Sequence, residues 1–142
     1  MNDQGHAAVE LGLAVGLLLL PVALIVLAFG PWSERRVLAE AAAAEAARSA
    51  VIELDAAAGS EIVSDMAGNH GLDPSLVRLG WCGGEPETLP GGASACSFAR
   101  GTHVVAEVRI WTPLIETPWG EIGGLWLGAV HAEPIDLYRS LG

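Results

Sequence analysis

Twenty consecutive residues, Leu11 to Gly30 (LGLAVGLLLLPVALIVLAFG), carry neither a charge nor a polar side chain. Wound as a helix, such a run extends roughly 30 Å, the thickness of a bilayer's hydrocarbon core. A helix buried in a soluble core seldom goes so far without a polar position. Pro21, in the middle, removes one backbone hydrogen bond, a loss that membrane helices tolerate better than exposed soluble ones. The run predicts one transmembrane span. A cleavable secretory signal is the poorer reading. The residues ahead, MNDQGHAAVE, hold no Arg or Lys, the run is longer than the core of such signals, and Pro31 follows the small-residue site Ala28-Phe29-Gly30.

The chain has 142 residues, room for one small domain and an appendage. Seven Arg, no Lys and seventeen acidic residues give a net charge of −10. That balance argues against nucleic-acid backbones and anionic lipid headgroups as partners, since both would repel it. A mean hydropathy of +0.43 in so charged a chain requires the apolar residues to be concentrated, and the span is where they are. Its flanks give one hint of orientation. Arg35 and Arg36 follow it while no basic residue precedes it, which favours a cytoplasmic C-terminal side.

Beyond the span, Ser33 has the chemistry of a helix N-cap, with Glu34 in the first turn. The stretch ERRVLAEAAAAEAARSAVIELDAAA has very high helix propensity and reaches Gly59, a natural C-cap position. Val37, Ala41, Ala44 and Val51 share one side of that helix, but Arg48 and Asp55 fall there too. Both a free stalk and a helix lying against other helices fit this pattern. Ser60 to Asn69 reads as a short helix with His70-Gly71 as its exit, and Leu76 to Cys82 as a strand. A Gly- and Pro-rich loop leads back to Cys96. From Thr102 to Thr112 the chain alternates, with Val104, Ala106, Val108 and Ile110 on one face and Glu107 and Arg109 on the other, the mark of a half-buried strand. Leu125 to Ala132 is a further strand, ended by Pro134. The fold class is α+β: a long N-terminal transmembrane and stalk helix, then a small domain with an antiparallel sheet.

Motifs of chemistry are missing. Trp81-Cys82-Gly83-Gly84 opens like a thioredoxin-type redox motif, but no second Cys follows at its spacing. His70, His103 and His131 form no pair at metal-ligand spacing. The Gly-rich stretches lack the Lys and Ser/Thr of a phosphate loop, and no Ser sits in a nucleophile elbow. No catalytic, cofactor-binding or metal-binding residue is expected. Trp111, Trp119 and Trp126 read as core or interface. Cys82 and Cys96 enclose thirteen residues. They are either two reduced thiols or a disulfide worth about 3 kcal/mol in the chain-entropy model. An anchored, loop-rich small domain favours the disulfide, which places the domain in an oxidising, extracytoplasmic compartment, against the arginine hint.

Gly5-His6-Ala7-Ala8-Val9-Glu10 lies directly against the apolar run. Gly5 and Glu10 together resemble the class III signal of type IV pilins and pseudopilins, and GHAAVELGLAV resembles the start of TadE-like pseudopilins of tight-adherence (Flp) pilus systems. The Ala-rich VLAEAAAAEAARSAV and the tail HAEPIDLYRS are similar to the corresponding parts of such proteins. The resemblance rests mainly on the first fifty or so residues. It implies cleavage after Gly5, with His6 as the first mature residue and Glu10 the fifth, meeting the new N-terminus of a neighbouring subunit. It divides the chain into a leader (1–5), a transmembrane helix (6–30), an Ala-rich stalk helix (31–58) and an extracytoplasmic domain (59–142). It implies a non-enzymatic minor pseudopilin in the cell membrane. Its partners would be a prepilin peptidase, the major Flp-type pilin, other pseudopilins, and the inner-membrane assembly platform with its ATPase. The alternative is a single-pass anchor bearing a binding module unrelated to pili.

Overall fold

A computed structural model describes residues 4–91, 96–117 and 119–138 of the chain. Helix α1 (Gln4–Glu53) runs unbroken for 50 residues, with Pro21 and Pro31 inside it. The helix expected to start afresh at Ser33 therefore does not. The chain stays helical through Gly30-Pro31-Trp32, and the Ser33 hydroxyl donates back to the Gly30 carbonyl (2.9 Å) instead of capping a new N-terminus.

Nor does that helix reach Gly59. It ends where Leu54 takes a left-handed conformation (φ 56°). Asp55 then caps helix α2 (Ala56–Asn69), its carboxylate accepting from the Ala57 amide at 3.0 Å. The exit of α2 is as expected: the His70 amide donates to the Met66 and Ala67 carbonyls, and Gly71 supplies a φ of +66° for the turn.

A single 3₁₀ turn at Pro74–Leu76, capped by Asp73, leads into strand β1 (Val77–Trp81). The short β2 (Glu87–Thr88), the long β3 (His103–Thr112) and β6 (Leu125–Pro134) complete an antiparallel sheet in the order β2-β1-β3-β6. Between β3 and β6, strands β4 (Ile115–Thr117) and β5 (Gly120–Ile122) form a separate hairpin. The register pairs Leu79 with Val108 and Val108 with Ala129, so the alternation of β3 lays one apolar face across the sheet.

That face is covered by the helices. Val77, Leu79, Trp81, Val104, Ala106, Val108 and Ile110 meet Leu38, Ala39, Ala42, Ala43, Ala46, Ala47 and Ala50 of α1, all buried. Spacings of three and four place these alanines on one stripe of a 3.6-residue period. Having only a methyl, they let the helix axis approach the sheet closely while the strands supply the bulk. Each fully buried Val, Leu or Ile contributes on the order of 1.5–3 kcal/mol. The second half of α1 is thus one wall of the core and not a free stalk. Of the side marked by Val37, Ala41, Ala44 and Val51, Val51 joins the core and Ala44 is half-buried, but Val37 and Ala41 are exposed. From α2, Ala56, Val63 and Ala67 close the core's flank.

Trp81, 2% exposed, packs its ring tightly against Gly59. A Cβ at Gly59 would meet the Trp81 ring at 2.5 Å and the Ala46 carbonyl at 2.6 Å. Gly59 is inside α2 because the indole needs its space. The indole N–H finds no partner among the described residues, a desolvation cost of roughly 1–3 kcal/mol.

Candidate functional site

Gly5 and His6 lie in the opening turns of α1. Glu10 follows Gly5 by five residues, roughly 7.5 Å along the axis, and is exposed. Among the described residues it makes no ion pair. From Val9 to Val26, every large apolar side chain of α1 is 45–76% exposed, on all sides of the helix. In a soluble protein so much bare apolar surface would be a liability. The helix is long and apolar enough to cross a membrane. Further on it changes character, and from Leu38 its inner stripe is buried. One helix thus carries an unpartnered apolar half and a docked half.

The changeover is built from Trp32, Pro113 and Glu116, which no motif marks, together with Arg35. The Trp32 indole N–H donates to the Pro113 carbonyl at 2.9 Å, and the Arg35 guanidinium lies 4.0 Å from the Glu116 carboxylate. Both bonds tie the β4–β5 hairpin to α1 just past the apolar run. The signal was present in IETPWGEI, where matching Ile-Glu and Glu-Ile pairs flank Thr117-Pro118-Trp119-Gly120. Three-residue strands are too short for alternation to mark them. Beside the hairpin, Pro31, Glu34, Arg35 and His70 help line a cavity of about 120 Å³. A shallower groove of about 360 Å³ runs between Val37, Leu38 and Ala41 on α1 and Met66 and His70 at the end of α2.

On the outer face of the sheet, Trp111 and Trp126 pack edge to face at 5.5 Å, and the Arg78 guanidinium lies 4.2 Å above the Trp126 ring. Arg109 pairs with Glu107 beside them at 2.6 Å. These two tryptophans cover each other on the open face, whereas Trp119 on the hairpin is 93% exposed.

Cys82 and Cys96 are joined as a disulfide, the reading that the sequence favoured over two reduced thiols. Cys82 follows β1 at a φ of 50°, its amide donating to the Val105 carbonyl at 2.8 Å. The bond ties the loop after β2 back to the sheet. Among titratable groups, Asp73 is held below the ordinary carboxylate range by the Ser75 hydroxyl and amide, as an exposed turn cap would be. The described residues bring together no group of three or more His, Cys, Asp or Glu that could hold a metal ion. His131 lies 3.2 Å from Glu133.

What the described residues assemble is an apolar half-helix long enough to cross a membrane, a close-packed helix–sheet seam and a stapled loop, with Gly5, His6 and Glu10 at the end of α1 away from the domain. No family model matches the chain, and neither a curated protein nor a solved structure does.

Proposed function

We propose that the chain is a TadE-like minor pseudopilin, a non-enzymatic, membrane-anchored component of tight-adherence pilus assembly. The observation that supports this best is α1 itself. A single helix starts beside Gly5 and Glu10, carries a bare apolar half, and continues without interruption into the core of a small sheet domain. A subunit that must leave a bilayer and join a helical bundle needs this continuity, because its membrane segment then becomes its packing segment. On this reading Gly5 and His6 flank the processing site, and Glu10 contacts a neighbouring subunit. The domain lies outside the cytoplasm, where the disulfide is stable. A prepilin peptidase, the major pilin, other pseudopilins and the assembly platform with its ATPase are the partners.

The test is processing. Co-expressed with its prepilin peptidase, the protein acquires an N-terminus at His6, read by intact mass, and Gly5→Leu blocks the change. Chains that keep Met1 beside a peptidase active on another pilin would sink the proposal and leave a plain single-pass anchor with a binding module.

A further inference from the structure

We propose that the β4–β5 hairpin is a second, shallow membrane contact, seated in the headgroup layer of the bilayer that α1 crosses. This rests on the reading of α1 as a transmembrane anchor. Helix geometry sets the height. The apolar run ends at Gly30, and the next five residues rise about 1.5 Å each, so they stay within about 7.5 Å of the hydrocarbon edge. A headgroup layer is about that deep on each side of a bilayer. The hairpin is tied at this height by the Trp32–Pro113 hydrogen bond (2.9 Å) and the Arg35–Glu116 pair (4.0 Å), and Glu116 shares a cavity with Pro31.

The hairpin tied there carries exposed apolar groups. Trp119 is 93% exposed, Ile122 59%, Leu114 41% and Ile115 38%. Among the described residues, Trp119 and Ile122 are left largely uncovered, while α1 and α2 cover the inner face of the sheet. An amphipathic indole is the side chain best suited to the boundary between lipid and water, and Trp32 lies at the same level on α1. The charge on the hairpin identifies the lipid. Leu114 to Ile122 carries Glu116 and Glu121 and no basic residue, so anionic headgroups are repelled. The partner is the interface of neutral, zwitterionic lipid, met through aromatic and aliphatic groups.

The experiment uses the full chain in phosphatidylcholine nanodiscs, with a nitroxide at Trp119→Cys, Ile122→Cys, Ile25→Cys or Ala132→Cys in separate samples. The native cysteines are bonded to each other and take no label. Labels at 25, 119 and 122 collide more with oxygen than with a water-soluble nickel chelate, and the label at 132 does the reverse. Replacing half the lipid with phosphatidylglycerol does not draw the 119 and 122 labels deeper. A shielded label at 25 with labels at 119 and 122 as open to nickel as that at 132 overturns the hairpin contact and leaves the span standing. A label at 25 open to nickel overturns the span reading itself. Shielding of 119 and 122 from both reagents means that protein covers the hairpin, and also overturns the contact.

Discussion

At Gly59, one methyl group decides whether α2 can sit on the core. Gly59→Ala places a Cβ 2.5 Å from the Trp81 ring and 2.6 Å from a backbone carbonyl that cannot move away. We expect a loss of about 1–3 kcal/mol, the usual range for overpacking, in denaturant unfolding of the detergent-solubilised protein. Gly68→Ala in the same helix meets nothing within 4 Å and raises stability by up to about 1 kcal/mol. In the sequence both glycines look alike, and Gly59 passes for a helix end. Only the fold shows that Trp81, more than twenty residues away, claims its space. Glu10 presents the opposite case. Its place beside the span is legible from the sequence, and the structure adds that it is exposed on α1. If it pairs with the ammonium of a processed neighbour, an opposite charge about 4 Å away at an effective dielectric of about 20 is worth about 4 kcal/mol. Glu10→Gln then leaves insertion and the domain's protease resistance intact but reduces co-purification with partner pilins, with Glu10→Asp milder. Unchanged co-purification of the Gln variant reduces Glu10 to an interfacial carboxylate.

Among the elements, strands announced themselves and the helix seam did not. The alternation of residues 102–112 places Val104, Ala106, Val108 and Ile110 inward, as the structure has them, because a strand with one wet face must alternate. In α1 the contrast vanishes. Alanine occupies nearly every position from 41 to 47, so period alone cannot tell a buried methyl from an exposed one, and the larger Val37 pointed to the wrong side. The helix end was misplaced for a related reason, since propensity continues through Leu54 and Asp55 while the need to turn α2 back onto the core does not show in composition. The seam gives a direct test. Ala46→Leu, at 0% exposure, should cost about 1–3 kcal/mol by forcing helix and sheet apart, whereas Ala41→Leu, facing the open groove, should change stability by less than about 0.5 kcal/mol. Equal effects at both sites would mean that the close approach of α1 to the sheet is not a stability determinant.

For the whole molecule, charge and cysteines make competing statements about sidedness. Arg35 and Arg36 favour a cytoplasmic domain, yet Arg35 lies against Glu116 and Arg36 bonds Glu40 at 3.1 Å, so neither is an unopposed charge. The disulfide favours the outside. An impermeant thiol reagent on intact cells should therefore modify Cys82 and Cys96 only after reduction. Modification that needs permeabilised cells and no reductant would place the domain in the cytoplasm. The unbroken helix also has a mechanical consequence. With no linker between residues 4 and 53, a pull on the membrane end reaches the sheet without slack. The alanine seam runs along α1, so axial load falls on it as shear, shared by the whole contact at once instead of being peeled open from one edge. If the proposed assembly role holds, the domain is hauled as a rigid passenger, and the force that draws the apolar half of α1 out of lipid reaches the seam in its strongest loading direction.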